Sequence, residues 1–188
     1  GERTHRAAQA VATGIGARMH DGVVQSVLDE ALGSVEAMTG TRMSWEVAEH
    51  DIPLQNIQAR LRGMLIWTIA NLERALLLVT SNKSEAAVGY TTMDGDSSGG
   101  LAPLADVPKS LVNAWLRWAH EFHGYESLGL ILEQAATAEL RPPGEEQTDE
   151  DDLMPFVILD QLMYAFVQLG LERPKRFVEY YSRLSRAD

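Results

Sequence analysis

The longest apolar stretch of the chain is Leu54–Thr80, which carries no charged side chain between Gly63 and Leu72. Its apolar positions recur at spacings of three and four, which is the helical period: Ile57, Leu61, Met64, Thr68, Leu72, Ala75 and Val79. Asp51 precedes the run and can cap the free N–H groups of the first turn, and Pro53 is typical of that turn. The pattern therefore predicts one long helix over about 52–80, roughly 40 Å long at 1.5 Å per residue.

The second half of this segment is apolar on nearly every side, which is typical of a helix at the centre of a bundle. Glu73 and Arg74 interrupt the apolar run. Because a membrane span needs about 20 predominantly apolar residues, the interruption argues against a transmembrane segment. We therefore expect a central helix that neighbouring helices surround.

The flanking sequence supplies helices with a single apolar stripe each. Gly40 is placed to end the first clear helix, and Gly124 divides a long pattern into one kinked helix or two. Thr148 and Asp151 have the spacing of a capping box. The predicted helical segments are about 5–13, Val23–Met38, Ser44–His50, about 84–89, about 108–140, Leu153–Leu169 and a last helix that Pro174 opens.

Together these segments predict an all-α fold, a single-domain helical bundle of five to seven helices that spans residues 1–188. Three parts fall outside the helical pattern: a flexible N-terminus over about 1–18, a long polar loop over about 81–106, and an acidic loop over about 141–152. Long connections of this kind are usually functional or disordered.

The formal net charge of −11 and the absence of cysteine limit the function classes. An acidic surface repels phosphate backbones, so dominant nucleic-acid binding is not expected. Without cysteine there is no disulfide, thiol nucleophile or zinc thiolate site. No signal peptide is visible, so we expect a cytoplasmic or other intracellular location.

Arg117 and His123 lie in the densest polar cluster on a predicted helix. Their spacing resembles the Arg-x4–6-His motif of HEPN-type helical ribonucleases at those two positions, although Trp118 stands where that family commonly has a polar residue. The resemblance implies a ribonuclease in which His123 acts as acid or base and Arg117 holds the phosphate. On an ideal helix, however, the two side chains point roughly 120° apart.

Two groups of side chains are candidate metal ligands. His120 and His123 share a helical face and could combine with Glu121 and Glu126, or with Glu46 and His50 from another turn. Asp94 and Asp96 open a stretch that fits part of a calcium-binding loop, but Ala105 stands where a bidentate Glu is required. Neither pattern is complete, and we expect no cofactor.

The sequence therefore favours a non-enzymatic protein–protein interaction or self-assembly module, with a protein partner and homo-oligomerisation. Aromatic side chains and a charged pair are the candidate interface residues: Trp45, Trp67, Glu73, Arg74, Trp115, Trp118, Tyr180 and Tyr181. The alternatives are the ribonuclease and a small-ligand sensor with a pocket between helices, lined by Met64, Trp67, Trp115 and Trp118.

Overall fold

The computed structural model describes residues 1–137, 139–142, 148–171 and 173–184. Helices carry most of the regular structure of these residues: α1 (Glu2–Gly14), α2 (Gln25–Thr39), α3 (Asp51–Glu73), α4 (Lys83–Val88), α5 (Lys109–His123), α6 (Gly129–Leu132), α7 (Asp149–Asp152), α8 (Phe156–Met163) and α9 (Pro174–Leu184). A π-helical turn, Tyr164–Gln168, continues α8. Among the described residues, β-pairing is limited to a parallel bridge between Leu78 and Leu101 and an antiparallel bridge between Thr137 and Thr148.

Several local predictions are confirmed. Gly40 and Gly124 end α2 and α5 in the left-handed conformation, with φ of 70° at both. The pattern over about 108–140 is therefore divided at Gly124, although the α-helix that follows ends at Leu132 and does not reach residue 140. Thr148 and Asp151 form the expected capping box at the start of α7. These features depend on neighbouring residues alone, and a local pattern is enough to predict them.

The predicted central helix over about 52–80 is wrong in its extent and its position. α3 ends at Glu73, where Arg74 turns the backbone into the left-handed region with φ of 52°. In its second half, Met64 is 51%, Ile66 48% and Leu72 80% exposed. A helix with this much exposed apolar surface is not the hub of a bundle, so a helical bundle around α3 is not what this chain forms.

After Arg74 the chain runs in extended conformation, and Leu78 pairs with Leu101 in parallel orientation. Val79 N donates to Leu101 O at 2.8 Å, and Gly100 N donates to Leu77 O at 2.9 Å. A continuous apolar run next to a parallel partner is typical of a buried strand in an α/β sheet. The same run was expected to be the end of the central helix.

Gly99 lets these two extended segments approach each other. A Cβ atom there would lie 2.6 Å from Val79 Cγ2 and 3.0 Å from Val79 N. Since Val79 N belongs to the backbone, a side chain at Gly99 would force the segments apart. The glycine therefore fixes the chain after α3 against the end of the polar stretch.

The first half of α3 packs on the polar stretch through small residues. Ala59 is 2% exposed, and a Cβ atom on Gly95 would lie 2.8 Å from Ala59 Cβ. Polar contacts hold the same seam: Thr92 Oγ1 donates to Asn56 Oδ1 at 2.8 Å, and Arg60 Nε donates to Met93 O at 3.1 Å. The part of the chain expected as a long polar loop is, at this point, fitted closely to α3.

The main apolar cluster of buried residues lies on α8. Phe156, Leu159 and Met163 are 4–8% exposed and are covered in part by Ala136, Leu153 and Met154. α8 also meets α4 and α5. α8 thus links the apolar core to the polar junction of α4 and α5. Within the described residues, no helix is both long enough and apolar enough to cross a membrane.

Candidate functional site at the junction of α4, α5 and α8

The start of α4 is fixed by a capping box. Asn82 Oδ1 accepts hydrogen bonds from Ser84 N at 3.0 Å and Glu85 N at 3.2 Å, and Glu85 Oε2 accepts one from Asn82 N at 3.3 Å. Asn82 is 3% exposed and Ser84 is fully buried. Because both ends of the box are satisfied, the first turn of α4 is rigid and holds the side chain of Glu85 in one direction.

The first turn of α5 meets this junction. Ser84 Oγ accepts a hydrogen bond from Lys109 N at 2.8 Å and donates one to Asp160 Oδ1. The second carboxylate oxygen, Asp160 Oδ2, accepts from Ser110 N at 2.9 Å. Three helices that are distant in sequence are thereby joined through one hydroxyl and one carboxylate.

An ion pair lies above this network. Lys109 Nζ is 2.9 Å from Glu85 Oε1, and the two side chains keep 18% and 16% of their surface exposed. Lys109 Nζ also lies 5.4 Å from the centroid of the Phe156 ring, which is a cation–π distance. The pair is therefore held on its protein side and open to solvent on the other.

A buried carboxyl group, Asp149, lies near the pair and is 6% exposed. Burial raises the pKa of Asp149, the positive charge of Lys109 opposes that shift, and the negative charges of Glu85 and Asp152 add to it. The charged groups around Asp149 thus include more acids than bases. Such a site favours a ligand that arrives with a cation.

Tyr90 extends the network toward α7. Its hydroxyl donates to Asp152 Oδ2 at 2.8 Å. Burial, together with this hydrogen bond, raises the pKa of Tyr90 well above its usual range, so the phenol remains protonated and continues to donate. Asp152 is therefore oriented by a residue from the stretch that was expected to be a polar loop.

Arg141 connects α3 to the segment that precedes the acidic loop. Its Nε and Nη2 atoms donate to the two carboxylate oxygens of Asp51 at 3.2 and 2.9 Å. Asp51, which was expected to cap the helix, is its first residue and pairs with Arg141 instead.

The ribonuclease pair is not assembled. Arg117 and His123 lie on the same regular helix, α5, and both are exposed. The His123 ring packs edge-on against Trp118, with ring centroids 4.4 Å apart. With α5 intact to its last residue, the two side chains keep the divergent directions of an ideal helix.

Two of the candidate metal ligands, His120 and Asp96, form hydrogen bonds within the protein. His120 Nδ1 donates to Tyr125 O at 3.1 Å and closes the turn after α5. Asp96 Oδ2 accepts from Thr92 N at 3.1 Å, while Asp94 adopts φ of 60° in the same loop. Across the described residues, no three His, Asp or Glu side chains gather in a metal-binding arrangement. The structure does not bring these candidates together.

The candidate interface residues are spread over the surface. Trp67, Trp115 and Trp118 are 38%, 57% and 48% exposed, so neither they nor Met64 line a closed pocket. Trp45 is half-buried, as are Tyr180 and Tyr181, whose rings meet edge-on at 5.3 Å. Glu73 Oε2 pairs with Arg18 Nη2 of the same chain at 2.9 Å, and Arg74 is exposed.

Residue patterns did not predict the junction itself. The Asn82-x-x-Glu85 spacing is a capping-box signal that is visible in the sequence. Lys109 and Asp160 have no local signal, because they join Glu85 and Ser84 across 24 and 76 residues.

Comparison with known proteins gives the family. The sequence profile of the NAD synthase family matches residues 2–179. Curated relatives include the glutamine-dependent NAD(+) synthetases of Aquifex aeolicus, 41% identical over 121 residues, and of Rhodobacter capsulatus, 40% identical over 126 residues. These alignments cover 64% and 63% of this chain but 21% and 22% of the relatives. The chain thus spans about a fifth of the length of the curated relatives it matches.

Solved structures agree with the profile. The glutamine-dependent NAD(+) synthetase of Cytophaga hutchinsonii has a TM-score of 0.76 and 34% identity, over 90% of this chain and 26% of that one. The NMN synthetase of Francisella tularensis, at 22% identity, shows the shared fold, with a TM-score of 0.72 over 87% of this chain and 61% of that one.

These matches correct the expectations of fold and function. The fold is the Rossmann-like α/β fold of the NAD synthetase domain, so the prediction of an all-α single-domain bundle is wrong. The exposed half of α3 and the parallel pairing of Leu78 with Leu101 are the physical signs of that error. The predicted non-enzymatic interaction or structural module is also wrong, since relatives near 40% identity are enzymes, and neither the ribonuclease nor the sensor is supported. This chain belongs to the NAD synthase family.

Proposed function

We propose that the chain forms part of a glutamine-dependent NAD(+) synthetase, and that Glu85 and Lys109 hold the phosphate groups of an adenine nucleotide there. The observation that carries the proposal is the Glu85–Lys109 pair, partly exposed above a buried polar junction in a chain that the family profile matches nearly end to end. A relative from Acinetobacter baumannii was solved with adenosine diphosphate. Intracellular location is part of the same proposal, because adenine nucleotides and glutamine are intracellular metabolites.

The chemistry of the pair suits nucleotide phosphates. A lysine ammonium binds phosphate as a point charge. A single carboxylate such as Glu85 suits Mg²⁺, which usually keeps several waters and takes one or two carboxylates together with substrate phosphates. In the unliganded pair, each group neutralises the other. On binding, phosphate would replace Glu85 as the partner of Lys109, and Mg²⁺ would replace Lys109 as the partner of Glu85. Neither charged group would then be left unpaired.

The nearby acids add a condition to this binding. Glu150 and Asp152 place negative charge around Asp149, which also interacts with the charge of Lys109. A bare phosphate would meet repulsion, whereas a nucleotide that carries Mg²⁺ would arrive with part of its charge compensated. We therefore expect the affinity for ADP to depend strongly on Mg²⁺.

Isothermal titration of Mg²⁺–ADP into the chain tests the proposal. Replacing Lys109 with Met should weaken binding about tenfold or more, the usual effect of removing a charged hydrogen-bond partner. Lys175→Met, on the exposed part of α9, is the matched control and should leave the affinity unchanged. The proposal fails if the wild-type chain does not bind Mg²⁺–ADP, or if the two variants lose affinity equally. Glutamine-dependent NAD(+) formation, assayed with the same variants in the enzyme from its native source, tests the reaction itself.

We also propose that a second copy of the chain is a partner, through the exposed apolar residues of the second half of α3 and the segment after it. This surface, called here the α3 apolar face, consists of Met64, Trp67, Leu72, Leu76 and Leu78. Their side chains are 38–80% exposed, and exposed apolar patches of this kind mark protein interaction sites.

A further inference from the structure

Helix α5 does not carry a cap of its own. Its N-cap is Pro108, which offers no side-chain acceptor. The first four N–H groups of any helix lack partners within that helix. Here the groups of Lys109 and Ser110 are satisfied by Ser84 Oγ and Asp160 Oδ2, from α4 and α8. The beginning of α5 is therefore placed by other helices.

Asp160 uses both carboxylate oxygens in this arrangement. One accepts from the fully buried hydroxyl of Ser84, and the other accepts from Ser110 N. A carboxylate at a helix N-terminus also meets the positive end of the helix dipole. With one residue bonded to two helices, a movement of Asp160 shifts the first turn of α5 relative to α4.

The ion pair lies one residue away from these bonds. Ser84 precedes Glu85 on α4, and Lys109 both donates its backbone N–H to Ser84 and pairs its side chain with Glu85. The Phe156 ring that faces Lys109 Nζ is on the same helix as Asp160. α8 thus contacts the first turn of α5 at two points, through the Asp160 carboxylate at Ser110 N and through the Phe156 ring at Lys109 Nζ.

We infer that Asp160 is a positioning residue, which acts through Ser84 and the first turn of α5 to hold the Lys109 ammonium beside Glu85. The residue touches no substrate in this scheme. The inference rests on the proposed function for its meaning in binding. Its geometric content, that Asp160 determines where Lys109 Nζ lies, does not depend on the identity of the ligand.

Chemical labelling measures that geometric content without any nucleotide. The chain has three lysines, Lys83, Lys109 and Lys175, so partial acetylation with acetic anhydride can be followed at each one by mass spectrometry. Asp160→Asn keeps the shape but removes the charge and one acceptor. Acetylation of Lys109 should rise about threefold or more as its pair with Glu85 loosens, while acetylation of Lys83 and Lys175 stays constant.

A matched variant separates the positioning of Lys109 from the general effect of removing one negative charge. Asp106→Asn removes a carboxylate from the same surface, where Asp106 pairs with Lys83 at 2.7 Å. Acetylation should then rise at Lys83 alone. Equal labelling of Lys109 in wild type and in folded Asp160→Asn overturns the inference, and so does a rise at Lys109 in Asp106→Asn.

Ser84→Ala is the second variant, for the case in which Asp160→Asn does not fold. It keeps the carboxylate and its bond to Ser110 N, but breaks the bridge to Lys109 N. Circular dichroism establishes that each variant is folded at the labelling temperature. Lys109 should again become more reactive, by a smaller factor, and unchanged labelling in folded Ser84→Ala counts against the inference.

A double-mutant cycle connects position to binding. If Asp160 acts through Lys109, Asp160→Asn should weaken Mg²⁺–ADP binding about tenfold in the wild-type background and leave it unchanged in Lys109→Met. Additive losses would show that Asp160 acts by another route and would overturn the inference. If the wild-type chain binds no nucleotide, the proposed function fails, and the labelling result still decides whether Asp160 positions Lys109.

Discussion

The two halves of the apolar segment Leu54–Thr80 behave in opposite ways. In the first half, Leu54 is 3% and Ala59 2% exposed, and neighbouring loops cover the helix closely. In the second half, the bulkier Met64 and Leu72 are 51% and 80% exposed. Within one helix, these first-half residues are buried inside this chain, whether small like Ala59 or large like Leu54. The large apolar residues of the second half belong to the α3 apolar face, for which a second copy is proposed as the partner.

The first prediction tests the close packing of Ala59 against Gly95 in the first half of the segment. Ala59→Leu adds three carbons where a Cβ atom on Gly95 would already lie 2.8 Å away. Overpacking against backbone should lower the free energy of unfolding by about 3 kcal/mol. The matched Ala75→Leu, at an exposed position after α3, should change it by less than about 0.5 kcal/mol. Urea denaturation measures both, and similar losses in the two variants would remove the distinction.

The second experiment tests what covers the second half. Leu72→Asp puts a carboxylate in the centre of the α3 apolar face, where an unpaired charge in an interface is costly. Self-association, followed by sedimentation velocity, should weaken about 100-fold, as at an interface hot spot. Phe122→Asp is the control, since the exposed fraction of Phe122, 74%, is close to that of Leu72 but Phe122 lies on α5. A wild-type chain that is monomeric at every concentration contradicts the proposed partner.

The smallest effect is expected when an ion pair at one end of α3, Asp51–Arg141, is compared with the pair at the other end, Arg18–Glu73. Arg141→Met breaks the bidentate pair with Asp51 in the first turn of α3, where both side chains are about a third exposed or less. The free energy of unfolding should fall by about 1–2 kcal/mol. Arg18→Met breaks the pair with Glu73 at the end of α3, where Arg18 is 70% exposed, and should cost at most about 0.5 kcal/mol. If both variants lose the same free energy of unfolding, the exposure of an ion pair does not determine its contribution here.

The sequence was informative where structure depends on neighbours. Gly40, Gly124 and the Thr148–Asp151 pair could be placed from spacing alone, because caps involve residues three or four apart. The extended run after Arg74 could not be told from helix, since a short apolar run fits a buried strand and a buried helix equally well. Its parallel partner, Leu101, lies 23 residues further along the chain.

The candidate site could not be predicted from local sequence patterns, for a related reason. Glu85, Lys109 and Asp160 are ordinary surface-type residues in sequence, and their value comes from the fold that brings them together. The conspicuous residues, Arg117, His120 and His123, attracted a catalytic interpretation because they are close in sequence. Helical geometry then keeps Arg117 and His123 apart.

The missing cap of α5 has a consequence for the order in which the chain folds. The acceptor that completes the first turn of this helix, Asp160, is made 50 residues after Ser110. During synthesis α5 can propagate from its own stripe and Ser84 of α4 can accept from Lys109 N, but Ser110 N lacks its acceptor until α8 docks. Docking of α8 and closure of that turn are then one cooperative step of high contact order, which is slow relative to local helix growth.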